Sequence, residues 1–292
     1  MSHTRWLLLP LCCLLLSLPA KAALTEPNRK ALAAMEDSLL TAADSMYNAL
    51  IPDTREEYSR RFARALVRAL KTEGSWEYPF EKLNTRINVL YPDDKAFRIF
   101  NWAIAPDENT RRYFGAIQMP ADELKLYGLV DYSAGITKGA EDSVMSGGRW
   151  FGALYYRINT QELNGGKIYT LFGLNAVSPI SNRKILDAMR ITPDGPVFGA
   201  PIFNTMQGRA NRFVLEFKKG VQVSLNWDVT LKAIYFDDLV SQTNDPTRKY
   251  TYVPSGQVNG FRWTGESWRM IQDIVPIVPR QEGQAPVGEA RE

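Results

Sequence analysis

The residues best suited to chemistry in this chain are three carboxylates near short runs of alternating apolar residues. Asp237 and Asp238 directly follow one such run, and Glu216 lies within another. Paired carboxylates can act as acid and base on a glycosidic bond, or bind calcium together with backbone carbonyl groups. Adjacent residues of a strand face opposite sides, so we expect only one of the two aspartates to point into any one site. The simpler interpretation is that polar residues solvate a strand end.

A second candidate site lies in the glycine-rich residues 133–148, where Lys138, Glu141 and Asp142 provide charge. The segment has no apolar periodicity and is predicted to be a loop. We interpret it as a mobile surface loop that borders a cleft, and the alternative is a functional lid. It lacks the spacing of a phosphate-binding P-loop, so the three charged residues are candidates for binding a ligand of another kind.

The first 22 residues have the layout of a secretory signal peptide. Arg5 precedes an apolar run over residues 6–18, and Ala20-Lys21-Ala22 provides the small residues of a cleavage site. The apolar run is shorter than the ~20 residues that a membrane-spanning helix needs. We therefore expect cleavage after Ala22, a secreted or periplasmic protein, and no transmembrane segment in the mature chain.

Cleavage at this point would remove the only histidine, His3, and the only cysteines, Cys12 and Cys13. A mature chain without imidazole or thiol excludes a serine–histidine–acid triad, a cysteine nucleophile, a zinc site with nitrogen or sulfur ligands, and a disulfide. The formal net charge falls from +3 to +1, which indicates no nucleic-acid partner. We predict no cofactor and no metal ion. Any enzyme would depend on carboxylates, Tyr, Lys, Ser or Thr.

Two amphipathic helices are predicted after the signal peptide. Apolar residues recur at helical spacing over residues 27–50, and Ile51-Pro52 interrupts the pattern. A second helix, residues 54–72, is predicted to begin at a cap formed by Asp53 and Glu56. These helices define an N-terminal helical hairpin over residues 23–75.

The second helix carries a basic stripe opposite its apolar face, made of Arg60, Arg61, Arg64, Arg68 and Lys71. Such a stripe is able to contact lipid head groups or an anionic envelope polymer. Glutamates four residues before the first two arginines favour surface ion pairs and a solvated face instead.

Residues 76–275 are predicted to form an antiparallel β domain, followed by a disordered tail over residues 276–292. Alternating segments between residues 86 and 132 indicate a first antiparallel group, and turn residues at 164–166 and 193–196 indicate two hairpins. A short helix over residues 182–190 is the alternative to a strand there. The predicted fold is α+β and mainly β, with two N-terminal helices packed on a large antiparallel β body of meander or sandwich type.

The clearest β pattern is in residues 211–238. Residues 212–217 and 221–228 alternate apolar and polar side chains, and residues 231–236 form a third apolar-rich segment after a short break. The first of these segments is predicted to bury the face that carries Phe213, Leu215 and Phe217, and to expose Arg212 and Glu216. Three consecutive strands with short connections predict an antiparallel meander.

Four phrases of the C-terminal half carry a resemblance to known proteins, at residues 196–203, 212–217, 234–239 and 252–263. Together they resemble a group of uncharacterised secreted bacterial proteins. The resemblance implies an envelope or extracellular setting and a β-rich body. It implies no activity and no functional residue, because the phrases describe strands and turns and not a site.

These observations lead us to expect a binding or structural module of the bacterial envelope, with an envelope polymer or an envelope protein as its partner. One alternative is a hydrolase that uses only carboxylates to act on a glycan, which requires two acids to converge in a cleft. Another is an accessory subunit that docks on a partner through its N-terminal helices, which requires an exposed apolar patch on those helices.

Overall fold

The computed structural model describes residues 24–136, 139–146, 148–176 and 178–276. The predicted signal peptide lies outside these residues, and so does the predicted tail beyond Pro276. The described chain forms two long helices followed by many short strands, and it confirms an α+β fold that is mainly β. No helix in the described part of the chain is both long enough and apolar enough to cross a membrane.

Helix α1 is Glu26–Asn48 and helix α2 is Pro52–Leu70. The predicted cap at Asp53 is wrong, because Ile51 caps α2 without a side-chain hydrogen bond and Pro52 is its first residue. The fixed φ of proline and its missing N–H suit the first turn of a helix, so α2 begins two residues earlier than predicted. Glu56 is thereby left to pair with Arg60 and Arg112.

Three β-sheets follow the helices. In chain order the strands are β1 (Asn88–Leu90), β2 (Arg98–Ile104), β3 (Arg112–Gln118), β4 (Leu126–Val130), β5 (Met145–Ser146), β6 (Leu154–Leu163), β7 (Gly166–Asn175), β8 (Ser181–Thr192), β9 (Gly195–Phe198), β10 (Phe203–Thr205), β11 (Gly208–Ala210), β12 (Arg212–Lys218), β13 (Leu225–Asp228), β14 (Ala233–Ser241), β15 (Tyr252–Trp263) and β16 (Trp268–Ile271).

The first sheet contains β1 to β4 in chain order, all antiparallel, which confirms the predicted first group. The second sheet has the order β5-β9-β8-β7-β6, and β12 also pairs with β8. It contains both predicted hairpins, and β8 is a strand and not the alternative helix. The third sheet has the order β11-β10-β16-β15-β14-β13, in which only β10 and β16 are parallel among the described strands.

The predicted three-strand meander at residues 211–238 is wrong in one respect. Strand β12 pairs with β8 in the second sheet, whereas β13 and β14 form a hairpin in the third. The polar turn at 218–220 therefore carries the chain from one sheet to the other. Alternation fixes which face of a strand each side chain occupies, but it does not fix which strand lies beside it.

The helical hairpin and the three sheets stack as successive layers, with an apolar core between each pair. Phe62 of α2 packs edge to face on Trp102 of β2, with ring centroids 5.0 Å apart, in the core between helices and first sheet. Phe97 and Tyr169 do the same at 4.7 Å between the first and second sheets. Phe213 of β12 contributes to the core between the second and third sheets. The second sheet is thus covered on both faces.

Candidate functional site

A polar groove runs along the junction between the second and third sheets. It consists of three adjoining cavities of about 220, 420 and 480 Å³, and Gln207 lines all three. The walls come from β12 and β14, while the turn between β10 and β11 and the loop near Lys249 form the rim. We call this surface the inter-sheet groove. Five of the six residues predicted to be functional line it: Glu141, Asp142, Glu216, Asp237 and Asp238.

Asp237 and Asp238 lie among four consecutive residues, 236–239, that line one cavity of the groove. The pairing of β14 with β15 is irregular between Asp237 and Leu239, where β15 carries extra residues opposite Asp238. The backbone N–H of Ser224 donates to Asp237 Oδ2 at 2.7 Å.

The carboxylate of Asp238 is held by two donors from β15. Asn259 Nδ2 donates to Asp238 Oδ1 at 3.0 Å, and Ser255 Oγ donates to Asp238 Oδ2 at 2.9 Å. These contacts join the two strands at the point where their pairing is irregular. The carboxylate therefore has a fixed direction and still lines the cavity.

Glu216 occupies the β12 wall of the groove. Its partner across the strand pair is Arg183, whose Nε donates to Glu216 Oε2 at 3.1 Å. Ser181 Oγ donates to the other carboxylate oxygen at 2.6 Å. Both oxygens of Glu216 are thus engaged within the fold, so this residue mainly ties β12 to β8.

Glu141 and Asp142 lie on a short 3₁₀ turn, Ala140–Asp142, above the same groove. Asn211 holds this turn through main-chain oxygens: its backbone N–H donates to Glu141 O and its Nδ2 donates to Asp142 O, both at 2.7 Å. The two carboxylates remain exposed and available to a ligand. The third predicted binding residue, Lys138, lies outside the described residues.

Arg212 lies beneath this turn and lines the groove floor. The prediction that it faces solvent is wrong, because its side chain is completely buried, as is that of Asp187, which lies 2.9 Å from its Nη2. Nη1 of Arg212 donates to Ala140 O and Ser143 Oγ, each at 2.7 Å. The buried guanidinium thus supports the turn that carries Glu141.

The buried carboxylate of Asp187 is also hydrogen-bonded on its other oxygen. Tyr155 donates its hydroxyl to Asp187 Oδ2 at 3.1 Å, and Trp150 Nε1 donates to that hydroxyl at 2.9 Å. Complete burial raises the pKa of Asp187 above its usual value, while the neighbouring Arg212 acts in the opposite direction. The pair connects the groove floor to the core between the first two sheets.

Among the described residues, acidic side chains outnumber basic ones along the groove. Of the basic residues that line it, Arg212 is paired with Asp187, while Arg209 contacts the side-chain oxygen of Asn204 and Lys249 contacts the ring and hydroxyl of Tyr252. The acidic lining residues are Glu141, Asp142, Glu216, Asp237, Asp238 and Asp273. The groove therefore favours a neutral or cationic ligand over an anionic one.

Side-chain amides line the rest of the groove, at Gln207, Gln257, Asn259 and Gln272. Amides and carboxylates together offer donors and acceptors for hydroxyl and amino groups. Among the described residues, no three His, Cys, Asp or Glu side chains form a group that could hold a metal ion.

Sequence reasoning missed Gln207, Lys249 and Asn259. Gln207 lies in a two-residue turn between β10 and β11, and Lys249 begins a short 3₁₀ turn before β15. Neither has a local pattern that indicates a binding role, because the groove forms only when strands far apart in sequence come together. No family model, curated protein or solved structure matches this chain.

Proposed function

We propose that this protein is a secreted or periplasmic binding module of the bacterial envelope, and that its inter-sheet groove binds a polymer rich in hydroxyl and amino groups. The observation that carries the proposal is the lining of the groove: carboxylates and amides surround it, and among the described residues its acidic side chains outnumber the basic ones. The signal-peptide pattern of residues 1–22 supports an envelope location.

Binding fits the geometry better than catalysis does. Asp238 accepts hydrogen bonds on both carboxylate oxygens, and Glu216 does the same. A catalytic acid or base needs an oxygen free to meet the scissile bond or the attacking water. The exposed carboxylates of Glu141 and Asp142 are suited to receive hydroxyl and amino groups at the groove wall.

The test is a cell-wall and glycan binding array probed with the mature chain. Asp142→Asn removes an exposed charge from the groove while the backbone contact of that residue remains. Asp194→Asn is the matched control, since Asp194 is also exposed, in the turn between β8 and β9, and does not line the groove. We expect Asp142→Asn to weaken binding and Asp194→Asn to leave it unchanged. Equal loss in both variants would argue against the groove.

A hydrolase acting on a glycan is the second candidate, and one observation favours it. Asp237 and Asp238 both line one cavity of the groove. A hydrolase would release reducing ends from a polymer that the array identifies, and either Asp237→Asn or Asp238→Asn would abolish the release. Binding without release supports the module.

Docking through the helices has less support. The apolar stripes of α1 and α2 are buried against the first sheet. The most exposed apolar residues of this region are Leu50 and Ile51, at the turn between the helices. Two adjacent side chains form a small contact area, far below the ~800 Å² per partner of a stable interface.

A further inference from the structure

A second cavity, unrelated to the inter-sheet groove, lies where the helical hairpin meets the first sheet. Its volume is about 340 Å³, and its walls come from the end of α1, the start of α2, and β1 and β2. Three arginines line it: Arg55, Arg86 and Arg111. We call this cavity the arginine pocket. No acidic side chain lines it among the residues that the structure describes.

In the described part of the chain, the guanidinium of Arg55 contacts carbonyl groups and no carboxylate. Its Nε donates to Ala49 O at 2.9 Å and its Nη1 donates to Ala105 O at 2.8 Å. Both acceptors are uncharged carbonyl groups, and they fix the half-buried guanidinium in place at the cavity wall. Peptide carbonyls orient a cation, but they leave its full charge for a ligand.

The other two arginines differ in how their charge is compensated. Arg86 Nε donates to Asp44 Oδ1 at 2.6 Å, so a carboxylate outside the cavity lining balances it. Arg111 is exposed, and its Nη1 donates to the carbonyl of Thr110 at 2.7 Å, with no carboxylate partner among the described residues. Two of the three charges, those of Arg55 and Arg111, are therefore available to a ligand.

The remaining wall of the cavity is mostly apolar. Ile87, Ala103, Leu154 and Met46 supply it, with the amide of Asn88 at the edge. Desolvation raises the pKa of Tyr47, another lining residue, to about 12, so its hydroxyl remains a donor at neutral pH. The cavity thus combines hydrogen-bond donors and positive charge with apolar side chains that can contact the organic part of a ligand.

We propose that the arginine pocket binds a small organic phosphate monoester. A phosphate monoester carries a charge of about −1.5 to −2 at neutral pH, which matches two uncompensated guanidinium groups. Each guanidinium presents parallel donors that fit phosphate oxygens. The apolar wall receives the organic part of the ligand. The site shares no lining residue with the inter-sheet groove.

The test uses phenyl phosphate as the probe, with uncharged phenol as its comparison, in isothermal titration of the full mature chain. Arg111→Gln removes one guanidinium that has little structural role. Arg112→Gln is the matched control, because the neighbouring Arg112 is half exposed, pairs with Glu56 and does not line the cavity. Both variants change the net charge equally.

We expect phenyl phosphate to bind more tightly than phenol, Arg111→Gln to weaken its binding about tenfold, and Arg112→Gln to leave it unchanged. Equal weakening in both variants would show attraction to net charge alone and would overturn the site. Failure of the unmodified chain to prefer phenyl phosphate over phenol would also overturn it.

A phosphate monoester can belong to a free metabolite or to a lipid head group, so a second arm uses vesicles that contain phosphatidic acid. Loss of binding in Arg111→Gln but not in Arg112→Gln supports the site, whether the loss is seen with phenyl phosphate or with the vesicles. The arm in which this occurs identifies the source of the ligand. Vesicle binding that both variants reduce equally, without binding of the soluble probe, would assign the interaction to the basic surface and would overturn the proposal.

Discussion

Two arginines, Arg98 in the N-terminal half and Arg212 in the C-terminal half, are completely buried, and the fold compensates their charges differently. Arg212 lies beside the carboxylate of Asp187. The guanidinium of Arg98 donates instead to four uncharged oxygens: Ser75 O at 2.7 Å, Tyr78 O at 2.6 Å, Gln118 Oε1 at 2.8 Å and Tyr91 OH at 2.9 Å.

Aromatic rings complete the surroundings of Arg98. Its guanidinium carbon lies 4.9 Å from the ring centroid of Phe100 and 5.0 Å from that of Phe80. Removal from water lowers the pKa of Arg98. Among the described residues, no carboxylate lies within ion-pair distance to oppose this effect. Ring faces and oxygen dipoles offset part of the desolvation cost.

The comparison shows that each arginine joins an irregular segment to a sheet. Arg98 fixes the connection that follows α2, so it sets how the helical hairpin meets the first sheet. Arg212 fixes the turn that carries Glu141 and Asp142, so it sets one rim of the inter-sheet groove. The same residue type thus supports layer packing in one half and the candidate site in the other.

The largest effect is expected for Arg98→Met. This change leaves several buried oxygens without a donor, and we expect a loss on the order of 4 kcal/mol in the free energy of unfolding. Urea denaturation monitored by tryptophan fluorescence measures it, with the exposed Arg190→Met as control. A loss no greater than that of the control would show that Arg98 is not needed for packing of the layers.

A somewhat smaller loss, about 3 kcal/mol, is expected for Arg212→Met, because it leaves the carboxylate of Asp187 buried and unpaired. The stability lost in Arg212→Met can be restored by a second substitution, whereas Arg98 has no carboxylate partner to replace. Adding Asp187→Leu removes the stranded charge, so the double variant should recover most of the stability. Denaturation of the single and double variants at neutral pH provides the measurement. A double variant as unstable as the single one would contradict the account of this pair.

The pH dependence of this pair gives a smaller effect. The folded-state pKa of Asp187 is raised, so the folded protein holds this proton more tightly than the unfolded chain does. The resulting stabilisation is fully present below the unfolded-state pKa, about 3.9, and is lost as the pH rises through the folded-state value. The stability of the protein relative to Asp187→Asn should therefore be most favourable in acid and decline toward neutral pH.

Urea denaturation of the unmodified protein and of Asp187→Asn between pH 3 and pH 7 measures this decline. The other carboxylates titrate in both proteins, so their contribution cancels in the difference. A difference that grows with pH would show that attraction to Arg212 outweighs burial.

The smallest effect is expected at the helix surface. Arg60 Nη2 lies 2.6 Å from Glu56 Oε1, but the arginine side chain is 62% exposed. Exposed pairs of this spacing contribute about 0.5 kcal/mol or less. Thermal unfolding of Arg60→Ala at low and high salt should show a small loss that salt removes. A loss as large as that of either buried arginine would overturn the distinction between buried and surface arginines.

Much of this fold is predictable from local sequence patterns. The two helices and the hairpins of β6–β7 and β8–β9 depend on periodicity and turn residues close together in the chain. The pairing of β12 with β8 depends instead on contacts that alternation does not encode. Arg212 shows why: the pattern assigned it to an exposed face, but the turn at 140–142 covers that face.

Five of the six candidate residues lie along one groove, but the shape of that groove was not predictable. Acid-rich segments drew attention to Glu141, Asp142, Glu216, Asp237 and Asp238, and all of them line one groove. The irregular register beside Asp237 cannot be read from sequence, because it arises from how β14 and β15 fit together. The same holds for the arginine pocket, whose three arginines come from separate elements.

The most direct test of the proposed function compares two soluble oligosaccharides of equal length, one with free amino groups, a glucosamine hexamer, and its N-acetylated counterpart. Titration of the mature chain should show tighter binding of the amine-bearing hexamer, by about tenfold, with the preference lost in Asp142→Asn and kept in Asp194→Asn. Equal binding of the two hexamers, or no binding of either, would contradict the assignment of the inter-sheet groove as a site for amine-bearing polymers.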